Sequence, residues 1–344
     1  MILKSENLLF NDDWLAIKGL EDLPPQLLVI VDTEEEFDWN APFDRASTGV
    51  QSIRRQSHLR EIYRGYGVRP TYVTDYPVAS QPDGYEPLRE LQDSGECLIG
   101  AHLQPWVNLP DEEEINEYNS YPGNLPPGLE RRKLEVLTET ITKNFGQRPI
   151  IYKAGRYGLG PETYRTLSQL GYQVDLSPVP YYNLRAAHGP DFTNIRPNPY
   201  WIGEVGGLLS IPLTRDFFGP LAAFGPPLDG YLDRPLPRRL FMRGILSRMG
   251  LLERSTLTPE GVTVEEYTNL VENLIRRGHR IFSLTYHSPS LEPGHTPYVR
   301  TEADLVTFIR SIETFLHTFM NRFGGQPTDP LSLRQLLLER ARAR

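Results

Sequence analysis

The feature that most constrains the fold of this 344-residue chain is an alternation of short apolar runs with longer amphipathic segments. The run QLLVIVD at 26–32 predicts a buried strand, and the amphipathic segment near 51–66 predicts a helix. Runs of the same kind, separated by predicted helices, predict further strands at 69–75, 96–102, 148–155, 173–177 and 281–287. Parallel strands joined by helical crossovers form either a doubly wound sheet or an α/β barrel. The alternation therefore predicts an α/β fold.

Two proline-rich stretches, at about 103–128 and about 178–262, interrupt this alternation. With 31 prolines and 28 glycines, the chain is expected to carry long ordered loops, where binding and catalysis tend to lie. We expect an N-terminal extension at 1–24, one α/β domain at 25–325 that carries both stretches as insertions, and a C-terminal tail at 326–344.

The composition excludes several classes of function. A net charge of -8 gives no basic surface for nucleic acid. No stretch reaches the roughly 18 apolar residues of a membrane span, and the first residues lack the unbroken apolar segment of a signal peptide. The single cysteine, Cys97, excludes an internal disulfide framework. We therefore expect a cytoplasmic protein without a nucleic-acid partner or membrane span, and its oligomeric state stays open.

Residues suited to hydrolysis stand where the predicted strands end. Asp32 and Glu34 leave the first strand inside the acidic run 32–38, while His102 and His287 end two others. One carboxylate could bind a divalent cation while the other acts as general base on its water, and imidazole is a common zinc ligand. Each residue alone has a plainer explanation, an acidic turn or a packed histidine. Their occurrence at successive strand ends favours an active site, because a barrel gathers such ends on one face.

Two further strand ends carry polar groups. Lys153, Arg156 and Tyr157 lie in YKAGRYGLG, and Asp175 precedes Ser177 in DLSP. A guanidinium here could orient a carboxylate or a sugar hydroxyl, although a plain turn with exposed basic residues explains the segment equally well. The chain contains no Gly-x-Ser-x-Gly elbow, phosphate loop or dinucleotide-binding glycine pattern.

Five segments resemble, in order, the motifs of the polysaccharide deacetylases, the NodB-homology group of carbohydrate esterase family 4. They are VDTEEEFDW, IGAHLQPW, YKAGRYGLG, VDLSPV and LTYHSPSLEPGHTPY, and they look closest to the WalW-like branch. The resemblance spans about residues 25–325. It implies a distorted (β/α)7 barrel with long loop insertions that removes N-acetyl groups from a sugar, glycan or glycolipid intermediate.

The resemblance also implies residue roles. Asp32 would be the general base and His287 the general acid, and Glu34 and His102 would bind a divalent metal, zinc with cobalt or nickel as alternatives. Backbone near Tyr157 would hold the oxyanion. The residues expected to bind substrate or support the site are Gln104, Trp106, Lys153, Arg156, Tyr157, Asp175 and Ser288.

Two positions depart from the family pattern. Gln104 stands where a second motif histidine is usual, and Lys153 stands where an arginine usually braces the catalytic carboxylate. An amide oxygen binds zinc more weakly than imidazole, and lysine keeps the charge of arginine without its bidentate fork. Two alternatives therefore stay open: a weakened or inactive barrel that binds glycan or a partner, and a hydrolase of other non-peptide C–N bonds.

Overall fold

The computed structural model describes residues 14–38, 41–232 and 242–343. Residues 1–13 of the expected extension and 233–241 of the second insertion lie outside the described residues. The strands are β1 (Trp14–Ala16), β2 (Gln26–Thr33), β3 (Thr71–Thr74), β4 (Leu98–Leu103), β5 (Ile151–Ala154), β6 (Val174–Asp175), β7 (Tyr200–Ile202), β8 (Leu208–Ser210), β9 (Arg215–Phe218), β10 (Glu253–Thr256), β11 (Ile281–His287) and β12 (Gln326–Pro327).

The α-helices alternate with these strands along most of the chain. They are α1 (Arg60–Tyr66), α2 (Tyr76–Ser80), α3 (Pro82–Asp93), α4 (Pro127–Phe145), α5 (Thr163–Gln169), α6 (Gly225–Leu232), α7 (Met242–Arg248), α8 (Val264–Arg276), α9 (Glu302–Asn321) and α10 (Pro330–Arg342). Helices α8 and α9 begin with capping boxes, in which Thr263 pairs with Glu266 and Thr301 with Asp304. None of the helices in the described part of the chain is long and apolar enough to cross a membrane.

Seven parallel strands in the order β11-β2-β3-β4-β5-β6-β8 form the centre of the fold. No strand pairing joins β8 to β11 within the described ranges. The gap between β8 and β11 is bridged by two hydrogen bonds between the segment after β8 and β11. Thr214 N donates to Ser283 Oγ at 3.1 Å, and Ser283 N donates to Thr214 Oγ1 at 2.8 Å. The predicted α/β fold is confirmed. It has seven parallel strands, and β8 and β11 are not paired with each other within the described ranges.

The central strands are apolar on both faces because both faces are buried. Alternate residues of β2, Leu27, Val29 and Val31, pack in the cluster between the strands and the helices. Leu28 and Ile30 belong to a second cluster, formed with interior residues of the other strands. Continuous apolar runs are what a parallel sheet covered on both sides requires.

The C-terminal helix covers the amino end of the strands. Leu333 and Leu337 of α10 are buried in the same cluster as Leu28 and Ile30. Strand β12 pairs in parallel with β2, and β1 pairs antiparallel with β7. Because this end is packed with apolar side chains, the opposite, carboxyl end is the one that is open to a ligand.

Two loops that border the open end touch through glycines. Gly123 lies in the first insertion and Gly160 follows strand β5, and a Cβ on Gly123 would lie 2.1 Å from Gly160 N. Gly123 N also donates to Gly158 O at 2.7 Å. The close backbone approach fixes the first insertion against the loop that carries Arg156 and Tyr157.

Replacing Gly123 by alanine should therefore destabilise the protein. We expect Gly123→Ala to lower the free energy of unfolding by about 1–3 kcal/mol, because the new methyl group meets backbone that cannot move alone. Gly65→Ala is the matched control, since a Cβ there meets nothing within 4 Å, and it should be neutral or slightly stabilising. Urea denaturation measures both; equal stability of the two variants would contradict the expected contact.

Candidate active site

The site lies at the carboxyl end of the seven parallel strands, on the interior side of the sheet. Asp32 follows Leu28 and Ile30 on the interior face of β2, so the period of two that buries the apolar residues also turns this carboxylate inward. A cavity of about 420 Å³ opens above it. The predicted site residues that line this cavity are Asp32, Glu34, His102, Gln104, Arg156, Tyr157 and His287.

Asp32 is held by a buried ion pair with Lys153. The Lys153 Nζ lies 2.6 Å from each oxygen of the Asp32 carboxylate and 3.3 Å from Thr285 Oγ1. Burial acts to raise the pKa of Asp32, but the positive charges of Lys153 and His287, with the hydrogen bonds from Lys153, outweigh it, and the pKa lies below its usual value. A single ammonium on β5 thus braces both oxygens, where the family pattern has a guanidinium.

His287 is held by a carboxylate that the sequence did not indicate. Its Nδ1 lies 2.7 Å from Glu260 Oε2, and its backbone N–H donates to Glu260 Oε1 at 2.9 Å. Its Nε2 lies 3.7 Å from Asp32 Oδ2. Burial acts to lower the pKa of His287, yet the negative charge of Glu260, with those of Glu34 and Asp32, raises it to about 10. The imidazole is therefore a protonated group facing an ionised one.

Glu260 was missed because it does not end a strand. It lies in the loop between β10 and α8, in the sequence TPEGV, and it also accepts a hydrogen bond from Ser290 Oγ at 2.6 Å. Nothing in a single sequence distinguishes this glutamate from the acids that commonly precede a helix.

Glu34, His102 and Gln104 form a third group. His102 Nδ1 lies 3.0 Å from the Lys153 carbonyl oxygen, which leaves Nε2 facing Glu34 Oε2 at 3.6 Å. Gln104 Nε2 donates to Glu34 Oε2 at 2.7 Å and lies 3.3 Å from His102 Nε2. All three side chains are buried, so the amide lies directly between the two predicted ligands.

This donor set does not fit the expected metal. A catalytic zinc site normally uses three protein ligands, and zinc prefers imidazole, thiolate and carboxylate. No cluster of three or more His, Cys, Asp or Glu side chains suited to a metal occurs in the parts of the chain that the structure describes. Glu34 and His102 supply two donors, and the group turned towards both of them is an amide N–H. Binding of zinc, cobalt or nickel therefore stays a prediction from the sequence, and the arrangement of Glu34, His102 and Gln104 does not support it.

The loop after β5 carries backbone strain at the cavity wall. Arg156 and Tyr157 have φ of 51° and 60°, in the left-handed region that non-glycine residues seldom adopt. The Arg156 guanidinium lies 4.2 Å from the Tyr121 ring centroid and donates to Ser120 Oγ. The strain turns both residues towards the cavity.

The other predicted supporting residues lie behind the cavity wall. Trp106 Nε1 donates to Glu35 Oε1 at 2.8 Å, and Ser288 Oγ accepts from Glu34 N at 3.1 Å. Asp175 faces the helix layer, where Tyr164 OH donates to it at 3.0 Å, and burial raises its pKa to about 6. Asp175 therefore supports the strand end rather than the cavity.

The acids next to Glu34 are structural. Glu35 is buried beside Asp75, whose Oδ2 accepts from Glu35 N at 2.7 Å, and burial followed by the charge of Asp75 raises the pKa of Glu35 well above its usual value. Glu36 Oε1 accepts from Ser52 N at 2.6 Å. These contacts tie the acidic run to neighbouring segments.

The chain superposes on several solved structures. A protein from Mycobacterium smegmatis classed among the polysaccharide deacetylases superposes with a TM-score of 0.53, at 15% identity over 95% of this chain and 94% of that one. A family 4 acetyl xylan esterase from Clostridium thermocellum, in complex with a cobalt ion, superposes with a TM-score of 0.43. Its identity is 12% over 90% of this chain and 91% of that one. A 4-alpha-glucanotransferase from Thermococcus litoralis gives 0.48 at 13% identity over 92% of this chain and 40% of that one.

The Mycobacterium smegmatis structure confirms the predicted fold, a NodB-type α/β architecture, and at this identity it carries the fold alone. No family model matches the sequence, and no curated protein matches it. The WalW-like branch stays a prediction.

The pairing of Glu260 with His287 leads to a pH prediction. In Glu260→Gln the pKa of His287 should fall from about 10 by about 1–3 pH units, because the facing negative charge is lost. A histidine whose folded-state pKa is raised stabilises the fold fully below its ordinary pKa of 6.5 and loses that contribution as pH rises through about 10. The stability difference between wild type and variant should therefore narrow from pH 7 to pH 10.

Ring-carbon NMR titration measures this pKa, with the His287 signal assigned by its absence in His287→Ala. Glu265→Gln, an exposed glutamate of α8, is the control and should leave the signal unchanged. A wild-type midpoint near the ordinary histidine value would contradict the predicted ion pair.

Proposed function

We propose that this protein is a hydrolase that removes N-acetyl groups from a sugar, glycan or glycolipid intermediate, with Asp32 as general base and His287 as general acid. One observation carries the proposal: the two side chains both line the cavity, with His287 Nε2 3.7 Å from Asp32 Oδ2. Lys153 faces the first, and Glu260 faces the second. The fold shared with the Mycobacterium smegmatis protein supports the choice of substrate class.

In this proposal Asp32 accepts a proton from water as the water oxygen attacks the acetyl carbonyl carbon. His287 Nε2 then donates its proton to the amide nitrogen as the C–N bond breaks, and the products are acetate and the free amine. A base held ionised beside an acid held protonated is the arrangement that such a reaction needs at neutral pH. The Glu260 carboxylate at Nδ1 fixes the ring so that Nε2 points into the cavity.

Backbone N–H groups near Tyr157 are the proposed donors to the oxyanion, since the strained loop brings that backbone to the cavity wall. No step is assigned to a metal, because Glu34 and His102 supply only two ligands. Cytoplasmic location and the division into extension, barrel and tail remain predictions from the sequence.

A second candidate is a barrel that binds an N-acetylated glycan without hydrolysing it. Both Asp32 oxygens bind Lys153 at 2.6 Å, and a carboxylate bound so closely is a weak base. A third, hydrolysis of other non-peptide C–N bonds, uses the same acid and base.

Acetate release from N-acetylated oligosaccharides tests the proposal. We expect Asp32→Asn and His287→Ala each to reduce the rate by about 10²–10⁴-fold, the usual contribution of a general base or acid. The exposed residues Asp93 and His58 provide matched controls, Asp93→Asn and His58→Ala, which should keep full activity. Each assay is run with chelator and with added zinc, cobalt or nickel.

Acetate release that survives both substitutions would contradict the assigned roles. Glycan binding by calorimetry, without acetate release under any metal condition, would favour the binding barrel.

A further inference from the structure

We propose that the Gln104 carboxamide takes the place of a divalent metal ion, so that the chain's own N–H groups complete the site at Glu34 and His102. The inference rests on the proposed function for its catalytic meaning. Its test measures metal binding, which does not require that function.

The positions of hydrogen atoms follow from the partners of His102. The Lys153 carbonyl oxygen can only accept, so His102 Nδ1, 3.0 Å away, carries the proton. In a neutral His102 imidazole, Nε2 then presents a lone pair towards Glu34 Oε2 at 3.6 Å. Two acceptors facing each other in a buried site require a donor between them, either a cation or N–H groups.

The Gln104 amide is that donor. Its Nε2 lies 2.7 Å from Glu34 Oε2 and 3.3 Å from His102 Nε2, and an amide has two N–H bonds, one for each. A metal ion bound to the same two lone pairs would have to displace both hydrogen bonds.

Packing fixes the amide in this place. Gln104 is 1% exposed. A Cβ on Gly155 would lie 2.2 Å from Gln104 Oε1, so only glycine leaves room for the side chain. The opposite amide orientation would turn Oε1 towards the Glu34 carboxylate, acceptor against acceptor, which is favourable only with a cation between them. The observed orientation leaves Oε1 buried without a hydrogen-bond partner, and the two hydrogen bonds of Nε2 offset that cost.

Without an ion, the cationic partners of Asp32 are Lys153 and His287, while Arg156 lines the same cavity and donates to Ser120 Oγ. Lys153 is occupied by Asp32, and His287 faces both Asp32 and Glu260. The remaining carboxylate, Glu34, is matched by neutral N–H donors.

The decisive variant is Gln104→His, which supplies the imidazole that a three-ligand site needs. Cobalt absorption in the visible range, zinc calorimetry and elemental analysis are measured on the full chain. We expect wild type to bind neither metal at tens of micromolar, and Gln104→His to bind one equivalent at least about 100-fold more tightly. Adding His102→Ala to that variant should abolish the gain.

Two further variants make the result unambiguous. Gln104→Glu nearly keeps the size of the side chain and adds a second carboxylate as a third ligand, so it should also gain metal binding if Gln104→His folds poorly. Gln335→His adds an imidazole on the exposed face of α10 and should gain nothing. Circular dichroism establishes that each variant is folded.

One equivalent of zinc or cobalt on wild type at micromolar concentration, lost in His102→Ala, would overturn the proposal while leaving the hydrolase intact. The proposal would also be overturned if Gln104→His and Gln104→Glu were both folded and bound zinc and cobalt no more tightly than wild type. Absence of acetate release from any substrate would refute the hydrolase and leave the metal result standing.

Discussion

The buried pair of Asp32 and Lys153 is the interaction on which the site depends. Asp32 lies near the carboxyl end of β2 and Lys153 lies on β5. Two strands separate them in the sheet, so the ion pair crosses the interior that the parallel strands enclose. Removing one partner of such a pair leaves an uncompensated buried charge, at a cost of about 3–5 kcal/mol. The same residue also orients the neighbouring imidazole, because the Lys153 carbonyl oxygen accepts from His102 Nδ1. Lys153 thus fixes both the proposed base and the histidine beside it.

The strand pattern explains why much of this arrangement was predictable. Apolar runs at regular spacing specify buried parallel strands, and parallel strands bring their carboxyl ends to one face. The prediction that Asp32, His102 and His287 lie together follows from that geometry alone. The alternation of side chains within a strand determines which side of the sheet each residue faces. It distinguishes Asp32, which faces inward, from Asp175, which accepts a hydrogen bond from Tyr164 in the helix layer.

The contacts that the sequence could not predict come from loops and from side-chain orientation. Glu260 reaches His287 only because the loop before α8 folds over the end of β11, and no local pattern encodes that approach. No sequence pattern sets Glu35 apart from the other acids of the run 32–38, yet Trp106 donates to it and Asp75 lies beside it in the interior. The sequence shows that Gln104 replaces the second histidine of the family pattern. It does not show where the Gln104 amide lies, because that position depends on the absence of a Cβ at Gly155.

The balance of charge gives the Gln104 amide its significance. Asp32 is matched by Lys153, and Glu260, which lies behind the imidazole, by His287, so two of the three carboxylates around the site have a cationic partner. A divalent ion on Glu34 would add two positive charges close to Lys153 and His287, in a cavity that Arg156 also lines. The amide satisfies the Glu34 oxygen without adding charge, and it does so within a buried space where each additional charge is costly. The site therefore has a self-consistent arrangement in which lysine, histidine and amide supply the positive and donor groups.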